Sequence, residues 1–110
     1  MKTRLGALAF IAAQAMSMQD EPVVHLKPHS AFIEIAFGGS LVELSHAPTI
    51  VHLPPSPPRP DAAGNQWAVD VKNFGPTPVT IADTGTFSAP VAVNETIHIY
   101  SNGHYYILKH

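Results

Sequence analysis

Three histidines, His98, His104 and His110, recur at six-residue intervals through the closing stretch IHIYSNGHYYILKH of this 110-residue chain. An imidazole nitrogen is a good ligand for zinc or copper, and zinc needs its nitrogens about 2.0–2.1 Å from a single point. The stretch reads as two strands joined at Asn102-Gly103, a dipeptide suited to a tight primed turn. A two-residue turn sets 101 opposite 104, 100 opposite 105 and 98 opposite 107. Successive side chains then alternate between faces. His98 shares one face with Tyr100, Tyr105 and Ile107, and His104 shares the other with Ile97, Ile99, Tyr106 and Leu108. His110 falls on the His104 side but about 20 Å further along an extended strand. These three imidazoles do not meet.

A metal centre would have to draw on histidines from separate segments, and His25, His29, His46 and His52 are the candidates for zinc or copper. Pro28 inside HLKPH rules out a helical pair between His25 and His29. Two carboxylates are a second chemical possibility. If Gly38-Gly39 closes a hairpin, 37 faces 40 and Glu34 faces Glu43, an unfavourable like-charge pair unless it shares a cation or a proton. The third candidate is a surface. Tyr100 and Tyr105, opposite each other with His98 alongside, form an aromatic patch of the kind that stacks on sugar rings or anchors a protein partner. There is no cysteine, no Gly-x-Ser-x-Gly and no phosphate-binding glycine loop, so the chain is expected to be no enzyme.

The N-terminus indicates location. Lys2 and Arg4 precede an apolar stretch from Leu5 to Ala13, and small residues at Ala13 and Ala15 suit a cleavage site. The pattern is that of a secretory signal peptide over residues 1–17 and is too short for the roughly 20 residues that span a bilayer. The mature chain, 18–110, is expected in the periplasm or outside the cell, with no membrane span. It retains four basic residues against eight acidic ones, a net charge of −4 that would become +3 if all seven histidines were protonated. No basic stripe is present, which argues against nucleic acid as a partner.

Strand signals fill the remainder. Val23 to Leu26, bracketed by Pro22 and Pro28, suits a short edge strand. AFIEIAFGGSLVELSH reads as a hairpin whose core face holds Ile33, Ile35, Phe37, Val42 and Leu44, and Thr49 to Leu53 reads as a further strand. Pro54 to Pro60 contains five prolines in seven residues, a stiff extended crossover between two sheets. Trp67, Val69 and Val71 alternate with Ala68, Asp70 and Lys72, and Val79 and Ile81 alternate with Thr80 and Ala82. About seven strands with regular turn signals, and no amphipathic helix after the signal, predict an all-β fold. The expected architecture is a small antiparallel β-sandwich of immunoglobulin size.

VDVKNFGPTPVTI, followed by VAVNETIHI, resembles bacterial immunoglobulin-like modules of surface and adhesion-related proteins. The likeness rests on Val69-x-Val71-x-Asn73-x-Gly75 and on Asn94-Glu95-Thr96 before an apolar strand, and it covers about 35 of the 110 residues. It implies a fold and a place outside the cytoplasm. The combined expectation is a secreted, non-enzymatic binding or assembly module with a protein or glycan partner and no cofactor. The alternative is a periplasmic histidine-based metal binder.

Overall fold

The structure, a computed structural model, describes residues 21–109. The expected signal peptide, 1–17, and His110 lie outside the described residues. Eight strands form: β1 (Val23–His25), β2 (Leu41–Leu44), β3 (Ile50–His52), β4 (Ala68–Asn73), β5 (Val79–Ala82), β6 (Ser88–Val91), β7 (Thr96–Ser101) and β8 (Tyr106–Lys109). They make a five-stranded sheet in the order β1-β2-β4-β7-β8 and a three-stranded sheet in the order β3-β5-β6. Among the described residues there is no α-helix, only a 3-10 turn at Ile35–Phe37. No helix is long and apolar enough there to cross a membrane.

The two-residue periodicity sorts each strand. In β4 Val69, Val71 and Asn73 point inward while Ala68, Asp70 and Lys72 point outward, and in β7 Ile97 and Ile99 are buried while His98 is exposed. The inward faces of both sheets close on one core. The larger sheet contributes Val42, Leu44, Val69, Val71 and Ile99, and the smaller contributes Val51, Val79, Ile81, Ala89 and Val91.

The sheets are mixed rather than antiparallel throughout. β1 with β2, β2 with β4 and β3 with β5 all pair in parallel, and only β4–β7, β5–β6 and β7–β8 are antiparallel. Parallel neighbours need long crossovers. The chain supplies them by switching sheets, from β2 to β3 and then through Pro54–Pro60 to β4. The proline segment is thus the inter-sheet crossover its composition predicts. It is tied to the larger sheet at two points: the Tyr106 hydroxyl donates to the Pro54 carbonyl at 2.6 Å, and Ser101 Oγ donates to the Pro58 carbonyl at 2.7 Å.

The Gly38-Gly39 hairpin does not form. Gly38 has φ −54° and ψ 137°, Gly39 has φ 83°, and the Ser40 N–H donates to the Phe37 carbonyl at 3.1 Å. Those angles describe a type II turn, and its twist splays the flanking segments where a primed turn would pair them. Gly38 is also where Trp67 packs, since a Cβ there would sit 2.5 Å from Nε1 of that indole. Ile35 is consequently exposed instead of in the core, Phe37 is half-buried against the core's rim, and Glu34 never faces Glu43.

Asn73 lies at the end of β4 and is fully buried. Its amide nitrogen donates to the carbonyls of Thr77 at 2.8 Å and Val91 at 3.2 Å, and its side-chain oxygen accepts from the Gly75 N–H at 2.8 Å. One side chain therefore satisfies three backbone groups of the 73–78 turn and of β6, two of them, the Gly75 N–H and the Val91 carbonyl, through buried bonds.

Candidate functional site

Register places two ladders on the outward face of the larger sheet. Val23, Leu41, Asp70, His98 and Lys109 stand in one row, and His25, Glu43, Lys72 and Thr96 in the next. Glu43 faces Lys72 across strands, the favourable sense for a cross-strand pair, and two histidines face carboxylates. His25 Nδ1 lies 2.8 Å from Glu43 Oε1, and His98 Nδ1 contacts Asp70 Oδ1. An ionised carboxylate can only accept, so Nδ1 of His98 carries the proton in that contact. In the neutral ring the Nε2 atom is left as an acceptor, and 51% of the His98 side chain is exposed to use it. Glu21 approaches the same pair. Partial desolvation raises its carboxyl from the ordinary value, the hydrogen bond to Asp70 and that residue's charge add to the rise, and His98 pulls the other way.

Beside this pair runs a groove of about 790 Å³, within the usual size of small-ligand sites. Ala68, Asp70, His98 and Tyr100 line it from the sheet with Lys109 of β8, and the loop residues Asn65 and Gln66 form its rim. A second groove of about 350 Å³, holding Arg59, Asp61 and Trp67, shares Asn65, Gln66 and Ala68 with the first. The two grooves adjoin, the second lying where the Trp67 indole packs beside Gly38 at the start of β4.

The rim is rigid for a local reason. Asp61 Oδ1 accepts from the N–H groups of Ala63 and Asn65, each at 2.9 Å, and Oδ2 accepts from Asn65 Nδ2 at 3.3 Å. The Asp61 N–H in turn donates to the Asn65 carbonyl. Bonds from Asn65, first through its backbone and then through its side chain, hold the Asp61 carboxyl below the ordinary aspartate value. The loop carrying Asn65 and Gln66 is therefore fastened before any ligand arrives.

His98 and Tyr100 of the expected binding surface do lie together, on the outward face of β7. Tyr105 does not join them. The link between β7 and β8 is four residues long, Asn102 to Tyr105, so Ser101 pairs with Tyr106 and Tyr100 pairs with Ile107. Asn102 Oδ1 accepts from the N–H groups of His104 and Tyr105 at 2.8 and 2.9 Å. That side-chain turn adds two residues to the loop and leaves Tyr105 at its exposed tip.

The four candidate metal ligands disperse. His25 is engaged by Glu43, and the His52 ring stacks on Phe32 at 5.7 Å. His29 and His46 do come side by side, the N–H of the first donating to the carbonyl of the second at 3.1 Å. Among the described residues no three histidine, aspartate or glutamate side chains stand close enough to hold a metal ion. Glu34 precedes the 3-10 turn and Glu43 lies in β2 beside His25, so the expected carboxylate pair is absent.

Asp70, Asn65, Gln66 and Lys109 belong to the groove and were not among the residues singled out by type and spacing. Asp70 carried the one available signal, since it alternates with Val69 and Val71 on the face turned away from the core. Its pairing with His98 depends on β4 lying next to β7, which no local pattern announces. Compared with models of known families, with curated proteins and with solved structures, the chain matches none.

Proposed function

We propose that this chain is a secreted, non-enzymatic β-sandwich module of the immunoglobulin-like kind, acting by binding or assembly at or outside the cell envelope. The observation that carries the reading is the groove on the five-stranded sheet, lined by a carboxylate-oriented imidazole, a tyrosine and a fastened amide loop. Two sheets over one core, the Asn73 turn and the Asn94-Glu95-Thr96 entry to β7 support the family likeness. The parallel strands β1, β2 and β4 set the chain apart from a wholly antiparallel module. The test is retention of the purified full chain on isolated bacterial cell envelopes, measured by sedimentation. The double variant His98→Ala/Tyr100→Ala should be retained at least about tenfold less, with an unchanged circular dichroism spectrum. Equal retention of the variant, or no retention of the wild type, would sink the reading.

The alternative, a histidine-based metal protein binding zinc or copper, is favoured by one observation: the pairing of His29 and His46. Both are exposed, and both have positive φ, at 69° and 54°. That conformation is costly for a non-glycine residue and is more often kept where it serves a site. Saturable copper(II)-induced broadening at the amides of His29 and His46, lost in His46→Asn, is the expected result under this alternative. Broadening spread evenly over all histidines would remove it.

A further inference from the structure

We infer that the groove on the outward face of the five-stranded sheet, together with the smaller groove adjoining it, is a subsite for a linear, uncharged oligosaccharide. The inference rests on the binding reading above and names the ligand class for the same surface. It starts from the shape, two open grooves that share Asn65, Gln66 and Ala68 in their linings, which suits a chain of several units better than one compact molecule.

The lining chemistry narrows the class. A pyranose offers an apolar C–H face and a rim of hydroxyls, each both donor and acceptor. Tyr100 supplies a flat aromatic surface for the first. For the second, the grooves mix donors and acceptors. Asn65 and Gln66 give amides of both kinds, in the neutral ring His98 Nε2 accepts while Asp70 holds Nδ1, and Lys109 and Arg59 donate, one in each groove. The two linings carry one cation and one carboxylate each, Lys109 with Asp70 and Arg59 with Asp61, and Glu21 lies beside Asp70, so there is no cluster of cations to select an anion. Uncharged hydroxyls use such a mixture fully.

An extended peptide fits less well. Peptides that dock on sheets add to an open edge and draw affinity from main-chain hydrogen bonds. The floor here is built on β4 and β7, interior strands whose main chains are already paired on both sides. The carbohydrate groups, by contrast, meet side chains held in advance. Asp61 fastens the rim and Asp70 orients His98, which reduces the ordering cost that weak ligands must overcome.

The experiment is a two-dimensional amide NMR titration of the full chain with three probes: cellotetraose, tetra-N-acetylchitotetraose and tetragalacturonate. A pool of random hexapeptides is run in parallel. The expected result is saturable shifts at Ala68, Asp70, His98 and Tyr100 with at least one of the two neutral tetrasaccharides, at a Kd of about 1 mM or tighter. Tetragalacturonate should bind at least about tenfold more weakly. Tyr100→Ala and Gln66→Ala should each weaken the neutral probe about tenfold while the rest of the spectrum stays in place. Shifts with tetragalacturonate alone, or with the peptide pool alone, overturn the inference while leaving a binding face. Silence with every sugar, alongside envelope retention that still depends on His98 and Tyr100, overturns the saccharide class and spares the binding reading. Silence together with no retention overturns both.

Discussion

Tyr106→Ala should lower the unfolding free energy by about 3–5 kcal/mol, the range for removing a large buried aromatic ring. The ring sits between Trp67 and Phe87, with both centroids 6.0 Å away in edge-to-face geometry, and its residue is 4% exposed. Its hydroxyl also holds the proline crossover at Pro54. Tyr106→Phe separates the two roles. It keeps the ring and leaves the buried Pro54 carbonyl without its donor, a cost of about 1–3 kcal/mol. Urea denaturation of the three proteins measures both steps, and an alanine variant no less stable than the phenylalanine one would refute the packing role. A pH dependence accompanies it. Burial, and secondarily the charge of Asp83, pushes the phenol up to about 12 from its ordinary value of 10.0. The folded state prefers the neutral phenol, so this stabilisation is complete below pH 10 and declines as pH rises from there towards 12. Tyrosinate absorbance should show a late step near pH 12 that Tyr106→Phe abolishes.

Asn73→Ala is the second severe substitution, at about 3–4 kcal/mol, because it strands two buried backbone groups and removes a donor from a third that is part-buried. The Gly75 N–H loses its acceptor and the carbonyls of Thr77 and Val91 lose a donor. Alanine fills less space but shape is not the main loss, so Asn73→Leu should be no better tolerated. Amide hydrogen exchange supplies a local readout: the Gly75 amide should exchange faster in Asn73→Ala even at low temperature, where the global fold persists. A loss under about 1 kcal/mol with Gly75 still protected would show that the turn holds without this side chain.

What could be read in the sequence follows from which interactions are local. Alternation identifies β4, β5 and β7 and puts Ile97, Ile99 and Tyr106 on one face, which the structure buries, although the turn between β7 and β8 is two residues longer than its Asn-Gly suggests. The faces survive because the register error is even, and only an odd slip inverts a strand. The Tyr100–Tyr105 pairing does not survive, because it depends on register itself. Gly38-Gly39 misleads for a different reason. Two glycines permit primed and unprimed turns alike, and the Trp67 indole packed on Gly38 belongs to the type II form. The parallel pairings leave no trace in any short window, and the Asp70–His98 contact at the centre of the site depends on residues 28 apart. A site assembled by tertiary pairing is legible only after the strand order is known.

That strand order also governs time. Val23 pairs with Leu41, Leu41 with Asp70, Ile50 with Thr80 and Ala68 with Tyr100, so most of the ladder joins residues 18 to 32 positions apart. Only β5–β6 and β7–β8 close locally. Chains of such high contact order collapse productively in milliseconds to seconds rather than microseconds, because loop-closure entropy is spent before the distant contacts repay it. The larger sheet draws its strands from Val23 to Lys109, so it cannot be completed before its last strand is made. For a polypeptide proposed to leave the cytoplasm through a narrow translocation pore, that delay keeps it threadable until the last strand has emerged.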